Sequence, residues 1–517
     1  MRVSHCLFAG SLVLLTGCQS TFNTAPKEEA KTNVQAAVLD IQETKTLIEP
    51  TATPVTEIDV WQRIRDGLQF KVPNEKLVKQ YRKWYLKHPK HLLRVSERAQ
   101  PFMYLIVEEI EKRGLPLELA LLPIVESSFD PFAYSHGSAS GLWQFTSPMA
   151  RHFGLDIDWW YDGRRDVYAA TIAALDMLEY LHKKTKGNWL YAIAAYNTGE
   201  GRVLRAARNN RREGKSTSFW GLDLPTETER YVPQLLALAD IIKHSDKYGL
   251  KLAPIPNKPQ LKVVQIDSQI DLALAADFAG LSIDDFYKLN PGFNRWATGP
   301  DGTYNLLFPI ENAERFELAL NENGPEKRLK WTRYKIKSGD SLGLIAKRHN
   351  TSIGFIKKAN HLKSNTIVVG KHLLIPISAR EREDYTLSLP SRLAHKQNTP
   401  RGQVKVNYRV KSGDSLWTIA RQFKVKSTSL ARWNHMAPRD TLSVGKKLVV
   451  WLKKGKKSGI IRTVNYKVRN GDSLARIANK FKVSIKDLVK WNQLDAKKYL
   501  QPGQTLSLYV DVTNYSS

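Results

Sequence analysis

Glu126 ends the apolar run Leu119 to Val125 in the stretch LLPIVESSFDPFAYSHGSASGLWQF, where an oily segment gives way to small, polar and glycine-containing residues. Helical periodicity sends that run into a core and leaves Glu126 at its rim, partly removed from water. Desolvation disfavours a charged carboxylate and raises its pKa, which suits a general acid that must hold a proton near neutrality. Most glycosidases pair such an acid with a second carboxylate, acting as nucleophile or activating water. Asp130 follows four residues later, but the intervening SSFDPF breaks a helix and keeps the two off one face; Glu200 is the other carboxylate weighed for that role. On position alone, a Glu that caps a helix end or pairs with an arginine is the plainer reading. Other chemistries find few residues: the 12 histidines show no HExxH or paired-ligand spacing, and neither a GxSxG elbow nor a phosphate-cradling glycine loop occurs. No metal and no cofactor are expected.

Three further motifs follow ESSF in order: GLWQF at 141–145, AAYNTGEGRV at 194–203 and ETERYV at 227–232. Together they resemble the lytic transglycosylases whose catalytic domain has a goose-type-lysozyme-like fold. The resemblance implies that Glu126 is the catalytic acid/base, that Ser135 helps position the acid or the departing sugar, and that Gln144 lines the substrate groove. It further implies that Tyr196 and Asn197 bound the site and that Tyr231 stands near the carboxylate. Trp143 occupies a place where many members have Met, which is expected to alter how a sugar ring packs. The implied reaction cleaves the β-1,4 bond between N-acetylmuramic acid and N-acetylglucosamine of peptidoglycan. It needs one carboxylate, because the substrate's own C6 hydroxyl closes a 1,6-anhydro ring and water is not a reactant.

The elements that must hold these residues read as successive helices, and the segment 96–245 is expected to be an all-α catalytic domain preceded by a helical extension at 57–95. PLELALLPIVES places Pro116 at a first helical position of an interior helix. RRDVYAATIAALDMLEYLHKK carries a stripe of Val167, Leu175, Leu178 and Leu181, Asn188 is a candidate N-cap, and Thr226 with Glu229 has capping-box spacing.

The tail is repetitive. Units opening at Tyr334, Tyr408 and Tyr466 align without gaps, with constant intervals Asp340 to Asn360, Asp414 to Asn434 and Asp472 to Asn492. Each begins with a short alternating segment, turns at Gly-Asp-Ser, runs through two short helices and closes on a strand. This βααβ order resembles LysM domains, which bind N-acetylglucosamine-containing glycans. The expected units span 333–376, 407–451 and 465–509. A degenerate LysM-like unit, 260–311, aligns Leu272, Ser282 and Asn290 but has Gln269-Ile270 in place of Gly-Asp. Linkers are expected near 312–330, 377–404 and 452–463. The expected fold class is thus multidomain, an all-α lysozyme-like catalytic domain followed by small α+β repeats.

Residues 327–517 carry a net charge of +31 and residues 1–326 one of −2, so a basic tail follows a near-neutral body and implies a partner bearing negative charge. Both cysteines, Cys6 and Cys18, fall in the first eighteen residues, so the body holds no disulfide framework. The apolar run Leu7 to Leu15 is too short to span a bilayer and reads as a signal-peptide core, 1–17. LLTGC resembles the lipobox of bacterial lipoproteins, which implies lipid on Cys18, a flexible tether over 18–56 and, with Gln19 next, the periplasmic face of the outer membrane. The implied partners are peptidoglycan glycan strands and that membrane, with no nucleic acid and no obligate protein partner. A water-using muramidase and a non-catalytic wall-anchoring lipoprotein are the alternatives. Removal of residues 327–517 is expected to weaken sacculus binding more than turnover of small soluble glycans.

Overall fold

The computed structural model describes residues 59–453, 461–495 and 499–511; the expected signal segment, Cys18, the tether and part of the 452–463 linker lie outside them. The helices start where local chemistry allows. Asp166 and Asn188 cap the helices Val167–Lys184 and Trp189–Thr198, accepting from Ala169 N at 2.8 Å and Tyr191 N at 3.1 Å. Two expected starts differ. Pro116 sits outside its helix, at the N-cap of a 3-10 turn Leu117–Leu121, and the α-helix proper is only Leu122–Ser127. Thr226 is already inside the helix Thr226–Lys243, with Pro225 at the N-cap and no side-chain cap, so the capping-box spacing is not used.

The extension is built into the catalytic core. Helices Val60–Gly67, Lys76–Lys87 and Pro89–Ala99 bury Val60, Trp61, Ile64, Val78, Tyr85, Leu92 and Val95 in the same apolar cluster as Leu119–Leu122, Leu175, Leu178 and Leu235–Leu238. Trp61 Nε1 donates to the Ala253 carbonyl at 3.0 Å and Gln234 Nε2 to the Tyr85 hydroxyl at 2.8 Å, so buried polar groups are paired as the packing requires.

Each βααβ unit makes its own two-stranded antiparallel sheet: Lys330–Lys335 with His372–Ile377, Val404–Arg409 with Lys447–Leu452, and Ile461–Lys467 with Thr505–Asp511. The constant Asp-to-Asn interval has a physical cause. Asp414 Oδ2 accepts from the Tyr408 hydroxyl and Lys411 N at 2.7 Å each, tying the strand end to the turn; Asp340 and Asp472 do the same. Asn434, almost fully buried, acts as a piece of backbone: its Oδ1 accepts from Val449 N at 2.7 Å and its Nδ2 donates to the Val449 and Leu430 carbonyls at 2.8 Å. Asn360 and Asn492 make the same staple to Leu374 and Ser507. Asn290 of the degenerate unit makes it to Leu307. That unit keeps the βααβ order through Leu261–Ile266, Leu272–Ala279, Ile283–Leu289 and Tyr304–Pro309.

Two expected linkers are ordered structure. Within 312–330 the chain continues the helix Ile310–Glu322, whose Ala313 and Phe316 are buried against the degenerate unit. The 377–404 segment holds the helix Leu389–Asn398 and anchors through Tyr385, whose hydroxyl donates to Asp271 at 2.9 Å. Its Gln397 donates to Asn434 Oδ1 at 2.9 Å. Composition rich in polar and basic residues resembles a linker, but each segment carries one buried aromatic, Phe316 or Tyr385, that anchors it.

Candidate active site

The helix Leu122–Ser127 ends abruptly after Glu126. Ser128 and Phe129 both take left-handed backbone (φ 54° and 57°), an uncommon pair for non-glycine residues, and Phe129 is fully buried to hold it. The turn aims Glu126 into a cleft of about 1010 Å³. Tyr231, from the helix Thr226–Lys243, donates its hydroxyl to Glu126 Oε1 at 2.5 Å. Burial pushes the Glu126 carboxyl up to about 7; the Tyr231 hydrogen bond opposes that rise, and the charge of Glu227 adds to it. Burial also holds the Tyr231 and Tyr196 hydroxyls protonated, with the Glu126 charge reinforcing both.

The other residues expected at the site border the same cleft: Ser135, Gln144, Tyr196 and Asn197. Ser135 Oγ accepts from Gly137 N at 3.2 Å and Ala139 N at 3.1 Å, folding the loop 134–140 into a lip. Gln144 has φ 50° and donates through Nε2 to the Gly141 carbonyl at 2.8 Å. Gly141 admits no side chain, since a Cβ there would stand 1.8 Å from the Arg164 carbonyl. Tyr196 donates to the Trp143 carbonyl at 2.8 Å, and Asn197 accepts from Thr228 at 2.7 Å. These bonds fix the cleft walls from three separate stretches of chain, 135–144, 196–197 and the start of the helix Thr226–Lys243.

Trp143 behaves otherwise than expected. Its ring is fully buried and donates Nε1 to Thr171 at 3.0 Å, so it fills the core and does not border the cleft. Neither Asp130 nor Glu200 borders the cleft; Asp130 Oδ1 caps its own turn by accepting from Phe132 N at 2.9 Å. Sequence reasoning missed further residues that line it, Tyr81 and Glu227 among them. Tyr81 comes from the helix Lys76–Lys87, in the extension, and no local signal marked it. Glu227, exposed at the opening of ETERYV, was within a quoted motif, and its place on the first turn of the helix that carries Tyr231 could have marked it. Among the described residues no group of three His, Cys, Asp or Glu side chains could hold a metal ion.

Residues 103–219, which include Glu126, Ser135, Gln144, Tyr196 and Asn197, match the profile of the transglycosylase SLT domain. Over 464 residues the chain is 36% identical to membrane-bound lytic murein transglycosylase D of Escherichia coli strain K12, covering 85% of this chain and 96% of that one. The chain belongs to the membrane-bound lytic murein transglycosylase D family. Consistent with that family, residues 334–376, 408–451 and 466–508 match LysM, and residues 260–323 match the LysM-like domain of lytic transglycosylase MltD. The last match runs to 323 and so includes the helix Ile310–Glu322 that a linker was expected to replace. A protein of Alteromonas sp. named for tributyltin chloride resistance is 55% identical over 177 residues, 34% of this chain and 84% of that one. Among solved structures, the 70 kDa soluble lytic transglycosylase from Escherichia coli is 19% identical, covering 34% of this chain and 32% of that one with a TM-score of 0.25. Membership of the family makes the chain a lytic transglycosylase that carries LysM repeats. No helix among the described residues is long and apolar enough to cross a membrane.

Proposed function

We propose that the cleft cleaves the β-1,4 bond between N-acetylmuramic acid and N-acetylglucosamine with Glu126 as its one acid/base. The observation that carries this is the desolvated Glu126 carboxyl, held by Tyr231 and pushed up to about 7, so that a substantial protonated fraction is present near neutral pH. Glu126 gives that proton to the bridging oxygen as the bond from C1 breaks, and the charge developing at C1 is met by the substrate's acetamido oxygen. The carboxylate, now ionised, takes the proton of the C6 hydroxyl as that oxygen bonds to C1. The muramic residue ends as a 1,6-anhydro sugar, the leaving strand carries a free hydroxyl, and Glu126 is protonated again. Proton transfer of this kind contributes about 10² to 10⁴ in rate. Ser135, Gln144 and Asn197 supply the polar wall that orients the sugars, and Tyr196 buttresses the floor through the Trp143 carbonyl.

The LysM units hold the glycan, supported by their exposed apolar side chains; Trp417 is 60% exposed. Lipid on Cys18 at the periplasmic face of the outer membrane completes the proposal, resting on LLTGC and on the membrane-bound relative. Cys18→Ser is then expected to move the protein from the membrane to the soluble fraction on cell fractionation; a variant that stays with the membrane removes the anchor.

Glu227 favours one alternative, since a second carboxylate at the cleft could activate water. Mass spectrometry of sacculus digests separates the two. Ring closure leaves anhydromuropeptides, whereas hydrolysis leaves reducing ends. Glu126→Gln is expected to bind sacculi as the wild type does and to release no anhydro product; anhydro product from that variant refutes the assignment.

A further inference from the structure

Asp440 belongs to the second LysM unit, in the loop between its second helix, Ser427–Trp433, and its closing strand, Lys447–Leu452. Its carboxylate is shared between that loop and the catalytic lip. Oδ2 accepts from Ala437 N at 2.9 Å within the LysM loop. Oδ2 also accepts from the Tyr134 hydroxyl at 3.1 Å, and Oδ1 accepts from the Ser138 hydroxyl at 2.5 Å. Tyr134 and Ser138 flank Ser135, His136 and Gly137, three residues that line the cleft. One carboxylate more than three hundred positions away therefore pins both feet of the loop that carries Ser135.

The remaining contacts explain why the pin is needed. Ser138 has left-handed backbone (φ 64°), which a serine holds only at a cost. Inside the catalytic domain the lip is folded by its own bonds, Ser135 N to the Ala139 carbonyl at 2.9 Å and Gly137 N and Ala139 N to Ser135 Oγ. It is tied to the rest by Arg164, which donates to the Ser138 carbonyl at 2.9 Å, and by isolated bridges of Tyr134 to Ser140 and Ser140 to Phe145. On the LysM side, the His435 ring packs tilted against the Tyr134 ring, with centroids 5.1 Å apart. Burial, helped by Lys396 and the neighbouring arginines, pushes this imidazole down to about 3, so it packs as a neutral ring. A charge-assisted hydrogen bond from a hydroxyl to a carboxylate is about twice as strong as a neutral one, so Asp440 is suited to hold an otherwise costly loop shape.

From this geometry we infer that Asp440 is a positioning residue for the transglycosylase cleft: the second LysM unit forms the outer support of the Ser135 wall, and the rate at Glu126 depends on it. The inference rests on the proposed role of the cleft. It revises the expectation that the tail matters for wall binding more than for turnover. A small displacement of a wall that orients substrate costs up to about a hundredfold in rate, even where the displaced residue performs no chemistry.

The test uses the full chain and short soluble glycan fragments, too small to bridge the LysM units and the cleft. Asp440→Asn is expected to lower kcat by about tenfold. Sacculus binding should stay at the wild-type level, and so should the alkaline pKa of the rate profile, since Asp440 does not touch Glu126. The double variant Tyr134→Phe with Ser138→Ala removes the same contacts from the catalytic side and leaves the LysM loop intact, so it serves also if Asp440→Asn fails to fold. It should show the same fall in kcat, and combining all three substitutions should add nothing. Wild-type kcat in either variant, additive losses, or loss of rate only in step with loss of sacculus binding would each overturn the inference. Glu126→Gln in the same assay tests the underlying reading separately, because residual turnover there indicts the acid and not the brace.

Discussion

Burial raises the Glu126 carboxyl to about 7, against the one hydroxyl that donates to it, that of Tyr231. That hydroxyl stabilises the charged form, so Tyr231→Phe should raise the carboxyl pKa further, move the alkaline limb of the rate profile to higher pH and lower kcat by about tenfold as the acid loses its orientation. A profile whose alkaline limb stays in place would show that another group titrates there. Folding stability reports the same carboxyl independently. Its folded pKa of about 7 exceeds the ordinary 4.5, so ionisation opposes folding. The penalty is absent below the ordinary value, grows as pH rises between the two and is complete above about 7. Glu126→Gln, which retains an acceptor for Tyr231, should therefore be more stable than the wild type by about 3 kcal/mol near pH 8 and equal to it near pH 4. Denaturant unfolding at the two pH values decides it. At this scale the sequence was informative: the edge of an oily run marked Glu126, and the family motifs marked five of its neighbours. Tyr81 escaped, because nothing about its own surroundings in the chain shows that it faces the cleft, and Glu227 escaped although its place on the first turn of the helix that carries Tyr231 could have marked it.

The short elements are held by single side chains more than by propensity, since helices of seven residues are too short to persist alone. Ser341, Ser415 and Ser473 cap the first helix of each LysM unit by accepting from Leu344 N, Thr418 N and Arg476 N. Ser352 and Ser484 cap the second, where the middle unit has Lys426 and no side-chain cap. The asparagine staple carries more. Asn434→Ala would leave both the Val449 N–H and its carbonyl without their buried partner, and should cost the second LysM unit about 2–4 kcal/mol. Thermal unfolding of the full chain, compared with Lys426→Ala as a substitution outside that network, measures it. The repeats were legible because their Asp, Ser and Asn act locally, at fixed intervals. The helix beginning at Thr226 was misread for the complementary reason: several backbone starts satisfy one sequence pattern, and packing against the helix Lys76–Lys87 selects among them.

In the molecule as a whole, the segments that looked like linkers are the ones that join the parts. The helix Leu389–Asn398 lays Arg392 over the Phe132 ring at 4.4 Å, beside Arg165, while Asp162 is the carboxylate that pairs directly with Arg164 and Arg165. Arg392 Nε and Nη2 are buried without a partner, and burial and the neighbouring Arg165 push its pKa well below the ordinary range. A guanidinium desolvated with only the more distant charges of Asp162 and Asp130 to offset it costs stability, so Arg392→Met, which keeps the stacking volume and drops the charge, should match or exceed the wild type in thermal stability. A fall of several degrees in Tm would show that the charge has a partner holding it there.

The chain by itself determined what depends on neighbours in sequence. A carboxylate at the end of an apolar run, glycine where the backbone meets the Arg164 carbonyl, and Asp, Ser and Asn at constant spacing all carry their physical reasons within a few tens of residues. Tertiary structure decided what depends on side chains meeting across long intervals. It put the helices Val60–Gly67, Lys76–Lys87 and Pro89–Ala99 into the catalytic core and Tyr81 on the cleft wall, withdrew Trp143 from the cleft, and set Asp440 against the lip that carries Ser135. Burial and hydrogen bonding across such distances are settled only when the whole chain packs, and no periodicity along the sequence records which loop will lie against which.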